Sequence, residues 1–436
     1  MLKLVSRLRQ PRSGTLWSNA DFRQLWAAES ISQFGSQITL VALPLTAALV
    51  LGASASQMGM LVAAGTLPYL LLSLFAGVWV DRLRRRIIMI AADFGRALLL
   101  FTMPIAWAFG LLRIEMLYVV AFLVGVQSLF FDVAYISYLP SIVAREQLTE
   151  GNAKLQASAS AAQVAGPGAA GGLVGVLSAP LAILVDAVTY LLSAIFLLRI
   201  RAVEPEPERA ATLHVRREIG EGLRAIFGNP ALRAIAGTGA TTNLFGYLFL
   251  AVYVLYMIED LGFSATQVGL VFSLGGVGAI VGSLIAEPIG RRLGIGPTII
   301  LGRVLFGVGG LLVPLAVAVP RFEVPIVLAA EFLQWSALVV ATINEISLRQ
   351  SLVPDRVLGR ASATMRFMNA GVIPVGALIG GFLGEMIGLR ETLVAGAAGM
   401  LVAGAWVACS PLRTLRNAPE PQEDRVASAA AGVEGT

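Results

Sequence analysis

Residues Leu51-Gly52-Ala53-Ser54-Ala55-Ser56-Gln57-Met58-Gly59 recur as Leu261-Gly262-Phe263-Ser264-Ala265-Thr266-Gln267-Val268-Gly269, 210 positions later, and each copy leads into a long apolar run. Self-similarity at a fixed distance decides architecture before any local reading does, and a repeat this long in an apolar chain points to the two halves of a membrane transporter. A second pair of landmarks has about the same spacing: Gly166-Pro167-Gly168-Ala169-Ala170-Gly171-Gly172 and Ile373-Pro374-Val375-Gly376-Ala377-Leu378-Ile379-Gly380-Gly381. Superposed halves should therefore bring Gln57 onto Gln267 and Pro167 near Pro374. Glycines four apart (Gly168 and Gly172, Gly376 and Gly380) should face closely packed neighbours, because small residues at that spacing admit near backbone contact.

Apolar residues make up 57% of the chain and charged residues 14%, against roughly 45–50% and about 25% in soluble domains. At about 20 apolar residues per crossing, spans are expected at 22–50, 56–80, 87–109, 115–138, 153–177, 180–199, 232–257, 266–286, 297–318, 324–347, 362–385 and 390–409. The fold class is thus an all-α polytopic membrane protein with twelve transmembrane helices in two pseudo-symmetric six-helix halves. Span 5, rich in Ala and Gly, has the weakest hydropathy, and it is the duplication that secures it. The expected segments are a basic N-terminus at 1–21, a first half at 22–200, a linker at 201–230, a second half at 231–410 and a disordered tail at 411–436. Within the linker, Glu204-Pro205-Glu206-Pro207-Glu208 reads as stiff and solvated. Val215 to Phe227 carries Ile219, Leu223, Ile226 and Phe227 on one face, the pattern of a surface-lying amphipathic helix.

Arginine fixes the orientation. Connections 2–3 (Arg82, Arg84, Arg85, Arg86), 6–7 (Arg201, Arg209, Arg216, Arg217, Arg224), 8–9 (Arg291, Arg292) and 10–11 (Arg349, Arg356, Arg360) are basic, and the opposite connections carry only Arg113, Arg321 and Arg390. Both termini are therefore expected in the cytoplasm, with the chain in the cell's inner membrane. The net charge of +5 is a topological signal. A nucleic-acid partner would need a solvated basic face, and these charges are parcelled out at helix ends. Met1 to Phe22 has no apolar core or cleavage site, so the first span must direct insertion. Cys409 is the only cysteine and His214 the only histidine, which leaves no internal disulfide and no donor set for a zinc or copper site. Lysine occurs only at Lys3 and Lys154, neither after a Gly-rich loop, so there is no Walker-type phosphate cradle. Gly275-Gly276-Val277-Gly278 lies inside span 8 and reads as helix packing, not as a dinucleotide fingerprint. No cofactor and no enzymatic activity are expected, and an ion gradient is the expected energy source unless the protein is a facilitator.

Gly77-Val78-Trp79-Val80-Asp81-Arg82-Leu83-Arg84-Arg85-Arg86 resembles the G-x-x-x-D-R-x-G-R-R signature of the major facilitator superfamily and falls in the loop where that family has it. Gly166-Pro167 with Gly171-Gly172 resembles the exporters' G-P-x-x-G-G motif, with three residues here between the pairs. Asn19 to Phe34, Tyr138 to Val143, Asp186 to Arg201 and Arg349 to Arg360 look like the branch that contains macrolide efflux proteins and enterobactin exporters. Two departures stand out. Arg84 replaces the signature's second glycine, so the turn there must form differently. Span 4 also lacks the arginine of many drug/proton antiporters, and the mechanism tied to it does not transfer. The resemblance implies that spans 1, 4, 7 and 10 line a cavity, and that Asp81 meets the N-terminal turn of span 11, where the helix dipole favours an anion. Gly77, Asp81, Arg82, Arg85 and Arg86 form the expected gating loop, with Arg84 to Arg86 mostly topogenic. Gly166, Pro167, Gly171, Gly172, Pro374 and Gly380 are the expected packing residues of spans 5 and 11.

Polar residues on the four cavity spans share faces. Glu29, Gln33 and Gln37 recur every four residues beside Ser36; Ser128, Asp132 and Tyr135 form a stripe; Asn243 and Tyr247 are a turn apart; Glu331, Gln334 and Trp335 cluster. Ionisable groups within a span are expensive and point to function. Glu29, Asp132 and Glu331 are the proton-coupling candidates, and Gln33, Gln37, Tyr135, Asn243, Tyr247, Gln334 and Trp335 the substrate-cavity candidates. Asp93, three residues before Arg96, reads as a structural ion pair, and Asp186 as locally hydrogen-bonded. Glu259, Asp260, Glu287, Glu345 and Glu385 read as solvated helix ends. The expected function is proton-coupled efflux of an amphipathic small molecule (a drug, macrolide or siderophore) by a monomer in the lipid bilayer. Import or facilitated passage of a nutrient, and a non-transporting sensor or scaffold, stay open.

Overall fold

The computed structural model describes residues 16–202, 204, 220, 223–224, 226–353 and 355–416, without the side chains of Leu74, Val78, Asp81, 355–358 and Arg360. Outside the described residues lie the N-terminus to residue 15, His214, most of the expected amphipathic helix at 215–227, the tail from 417, and the carboxylate of Asp81. Twelve long helices carry the described chain: α1 Ala20–Leu45, α2 Ala55–Asp81, α3 Arg85–Ala108, α4 Ile114–Ile142, α5 Leu148–Val176, α6 Ala179–Arg199, α7 Pro230–Glu259, α8 Ala265–Leu293, α9 Ile295–Leu315, α10 Glu323–Leu352, α11 Asp355–Ile387 and α12 Leu389–Ala408. No strand occurs among the described residues. Eleven spans are long and apolar enough to cross a membrane. The exception is α5, whose Ala, Gly and Ser lower its hydropathy while suiting it to close packing between α1 and α8.

The duplicated sequence has a physical meaning at each position. Gly52 and Gly262 adopt φ of +59° and +65°, a left-handed turn that costs other residues about 1–2 kcal/mol. Ser54 and Ser264 then cap α2 and α8, and Gln57 and Gln267 close the capping boxes: Ser54 N donates to Gln57 Oε1 at 3.0 Å and Ser264 N to Gln267 Oε1 at 2.8 Å. One turn further on, Gly59 meets α11 and Gly269 meets α5. A Cβ built on Gly59 would stand 2.5 Å from the Ala377 carbonyl oxygen and 2.8 Å from the Gly381 Cα. One built on Gly269 would stand 2.4 Å from the Pro167 carbonyl oxygen and 2.9 Å from the Gly171 Cα. The 210-residue offset thus carries Gly59 onto Gly269 and Gly171 onto Gly381, and the two crossings join the halves symmetrically.

In this register Pro167 lies opposite Ala377, one turn from Pro374 on the equivalent helix, near it as the duplication leads one to expect. Gly172, by contrast, is not a packing residue, since a Cβ there meets nothing within 4 Å; the neighbouring Gly171 faces α8 instead. Gly376 and Gly380 do face close neighbours, the carbonyl oxygens of Leu244 and Leu248 on α7, each 2.2 Å from the built Cβ. Gly166 likewise sits against Gln37 of α1.

The near approaches between halves occupy one end of the molecule, Gln163 to Gly175 on α5 against Ala265 to Gly276 on α8, and Ala55 to Leu70 on α2 against Gly371 to Gly384 on α11. At the arginine-rich end, a Cβ on Gly77 would meet nothing within 4 Å, so α2 makes no close approach there in this structure. The turn after α2 forms without the signature's second glycine. Arg84 takes φ −68° and offers no side-chain cap to α3. Glu204, reaching back from the linker, accepts the backbone N–H groups of Arg85 and Arg86 at 2.8 Å each, which supplies the missing cap and an anion at the positive end of the helix. Arg86 is more than topogenic: its guanidinium donates to the Leu197 and Leu198 carbonyls at 2.9 and 2.6 Å, capping the C-terminus of α6. Connection 10–11 spans only residues 353–354, so Arg349 lies on α10 and Arg356 and Arg360 on α11.

Gly59→Ala and Gly269→Ala should each destabilise the protein by about 1–3 kcal/mol, the usual cost of overpacking. Gly172→Ala, with room for its methyl and a gain in helix propensity, should leave the melting temperature in detergent unchanged or raise it.

Candidate functional site

Helix α10 forms the back wall of the site. Glycine lets its neighbours come close on two sides. On α8, Gly278 and Gly282 lie against the backbone of Phe332 and Ser336, and Gly275 leaves room for the indole of Trp335. On α9, Gly302 meets the Ala337 carbonyl and Gly309 accommodates Gln334. Gly275-Gly276-Val277-Gly278 is therefore a packing stripe, as its sequence context indicates.

The walls bound a cavity of about 540 Å³ within the second half, lined by residues of α7 to α12. Asn243 and Tyr247 line it from α7, and Glu331, Gln334 and Trp335 from α10, among Phe249, Tyr253, Phe272 and Phe306. At its deep end Glu331 is buried. The Tyr253 hydroxyl donates to its Oε2 at 2.9 Å and Trp335 Nε1 donates to Oε1 at 2.8 Å. Toward the arginine-rich end the lining turns polar, with Arg303, Glu345, Arg349, Arg366 and Asn369. Arg303 Nε and Nη2 hold both oxygens of Glu345, at 2.9 and 2.6 Å, with both side chains buried. Glu345 is thus no solvated helix end. Such a two-pronged pair satisfies both charges where water cannot.

The first-half candidates do not line this cavity. Gln33 Nε2 donates to Glu29 Oε1 at 2.7 Å; Gln37 packs over Gly166; Tyr135 stacks on Phe131 with ring centroids 6.3 Å apart. Asp132 is exposed and accepts from the Tyr69 hydroxyl at 3.1 Å. Asp93 pairs with Arg96 and accepts from Ser193 Oγ at 2.6 Å. The Arg96 guanidinium lies between the rings of Phe131 and Tyr190, 4.4 and 4.2 Å from their centroids. Asp186 accepts from Thr189 on its own helix at 3.1 Å. Sequence reading overlooked Tyr253, Asn369 and the Arg303–Glu345 pair. Arg303 is an arginine inside an apolar span, a signal that should have been followed to its partner. Among the described residues no cluster suits a metal ion.

A family model described as transmembrane secretion effector matches residues 15–430. The chain belongs to that family. Its loop signature and fold place it in the major facilitator superfamily, so it is a multi-pass membrane transporter of small molecules and not an enzyme. The multidrug efflux pump Tap of Mycolicibacterium fortuitum is 28% identical over 402 residues, 89% of this chain and 95% of that one. Among solved structures, a bacterial homologue of the iron transporter ferroportin in its inward-facing state matches with a TM-score of 0.76 at 17% identity, over 92% of this chain and all of that one. In its outward-facing state the ferroportin homologue matches at 0.58 and 18% identity, over 89% and 98% of the two chains. These likenesses establish the fold.

Breaking the buried pair in the transporter's cavity wall should cost more than removing it whole. Arg303→Met, which strands Glu345, should destabilise the protein by about 3–5 kcal/mol. The double variant Arg303→Met with Glu345→Met should recover most of that loss in thermal unfolding in detergent.

Proposed function

We propose that the protein exports amphipathic small molecules, driven by protons, with the arginine-rich end and both termini in the cytoplasm. The carrying observation is the cavity's composition: aromatic walls for an apolar body and one buried carboxylate, Glu331, held by two neutral donors with no cation. Such a group is suited to take a proton when dry and to release it, or meet a cationic substrate, when wet. The relation to a multidrug efflux pump supports export over import. Closure by backbone crossings at one end, a cavity reaching toward the other, and the better superposition on an inward-facing relative all support a state open to the cytoplasm.

In this reading Asn243, Tyr247, Gln334 and Trp335 contact the substrate. Glu331 and Asp132 carry coupling protons, and Glu29 shapes the range of substrates. Gln33, Gln37 and Tyr135 reach a substrate only where the first half turns toward the cavity in another state. Asp81 closes the cytoplasmic side by meeting the N-terminus of α11.

Cells producing the protein should accumulate less of a fluorescent cationic drug, and a protonophore should abolish the difference. Glu331→Gln should reduce uphill export at least tenfold while equilibrium binding of the drug to purified protein stays within about twofold. Protonophore-sensitive export that survives neutralisation of Glu29, Asp132 and Glu331 together would overturn the assignment. Asp81→Asn should lower export with normal membrane insertion; unchanged export would make the loop signature a topological remnant.

A further inference from the structure

We propose that the first half holds a second, cavity-remote proton site, formed by Asp186, Glu29 and Asp93 around the single cation Arg96 and carrying two protons in this conformation. The inference starts from a charge count. Asp93 and Asp186 are 0% exposed, Glu29 5% and Arg96 4%. Among the described residues of the first half, Arg96 is the only buried cation. Its guanidinium is already bonded to Asp93 and flanked by Phe131 and Tyr190.

Hydrogen bonding leads to the same two acids. Glu29 Oε2 and Asp186 Oδ2 have no hydrogen-bond partner among the described residues, while the other oxygen of each accepts only one neutral donor, Gln33 or Thr189. A buried carboxylate in an apolar bundle needs a cation or several donors. Neither acid has them, and a carboxylic acid does not need them. Asp186 is also pressed against α1: a Cβ built on Gly35 would stand 2.3 Å from its Oδ1, and Thr39 on the same helix stands beside it. The other titratable groups facing the cluster are Asp132 and Tyr135 on α4, Tyr69 on α2 and Tyr190 on α6. Asp132 is left out of the count because it is exposed. The tyrosines add no cation.

Neutrality thus puts one proton on Glu29 and one on Asp186, with Asp93 ionised against Arg96. Release requires water to reach the cluster. Each proton then passes to solvent and leaves a hydrated carboxylate. A coupling role for these protons rests on the export reading above; the site itself does not.

Infrared spectroscopy of the full chain in proteoliposomes near neutral pH counts protonated carboxyls through their carbonyl-stretch band. Asp186→Asn should lose the intensity of one carboxyl. Asp93→Asn should also lose one, although Asp93 is itself ionised, because the freed Arg96 then neutralises a neighbour. Arg96→Met should gain one. A merely structural ion pair beside an ionised Asp186 predicts no loss from Asp186→Asn, and that result would overturn the proposal. An unchanged band in Asp93→Asn would overturn it as well, and this variant decides the matter if Asp186→Asn does not fold. Protonophore-insensitive export by the wild type, with the infrared changes as expected, would sink the proton-driven part of the export reading and leave the proton site standing.

Discussion

Backbone lying on backbone at two glycine pairs holds this transporter together. Lipid tails are as apolar as the helices they surround, so no hydrophobic gain drives two six-helix units together inside a bilayer, and close packing has to do it. Gly59 on Gly381 and Gly171 on Gly269 supply that packing at two places related by the duplication. The rest of the architecture leads up to them. Gly52 and Gly262 turn the chain, Ser54 and Ser264 start the helices, Gln57 and Gln267 lock the starts, and each crossing glycine follows one turn later. The crossings gather at one end, so the opposite ends of α2, α5, α8 and α11 are free to diverge, and the cavity extends toward that side.

The halves share a fold but treat buried charge in opposite ways. In the second half, Arg303 and Glu345 satisfy one another through two hydrogen bonds. The only other deeply buried acid described there, Glu331, sits on a cavity wall between two neutral donors. In the first half, several acids surround one arginine well away from that cavity. A duplicated chain can divide labour in this way because the backbone symmetry is secured by glycines and caps, which leaves mid-helix side chains free to diverge.

How much of this was legible in the sequence depended on whether the signal was local. The nine-residue repeat is legible because four of its positions do local work: turn, cap, box, crossing. Span 5 was recoverable for the same reason, even though its hydropathy fails. Between α5 and α11 the sequence places the prolines within a turn of each other but does not show which glycine makes the crossing: Gly171 and Gly172 are adjacent, and only Gly171 faces α8. Arg349 reads as a loop charge because helix ends cannot be located to within a turn from hydropathy. Glu345 reads as an end residue because its partner lies 42 positions away on another helix, beyond any local pattern. Of the site, the facing sets Asn243 with Tyr247 and Glu331 with Gln334 and Trp335 were visible from helical spacing, and they meet in one cavity. The first-half sets have the same spacing and do not, because spacing gives a face but not what the face looks upon.

A closure made of main-chain atoms has a consequence in electrical terms. Side-chain gates contain rotamers that flip, and each flip can admit a file of water. The contacts at Gly59 and Gly269 have no rotamers at all. Across a membrane under tension from its own potential, one elementary charge that slips through dissipates about 2.3 kcal/mol per 100 mV. The paired glycines therefore serve as a dielectric: they keep that potential from leaking along the seam between the halves.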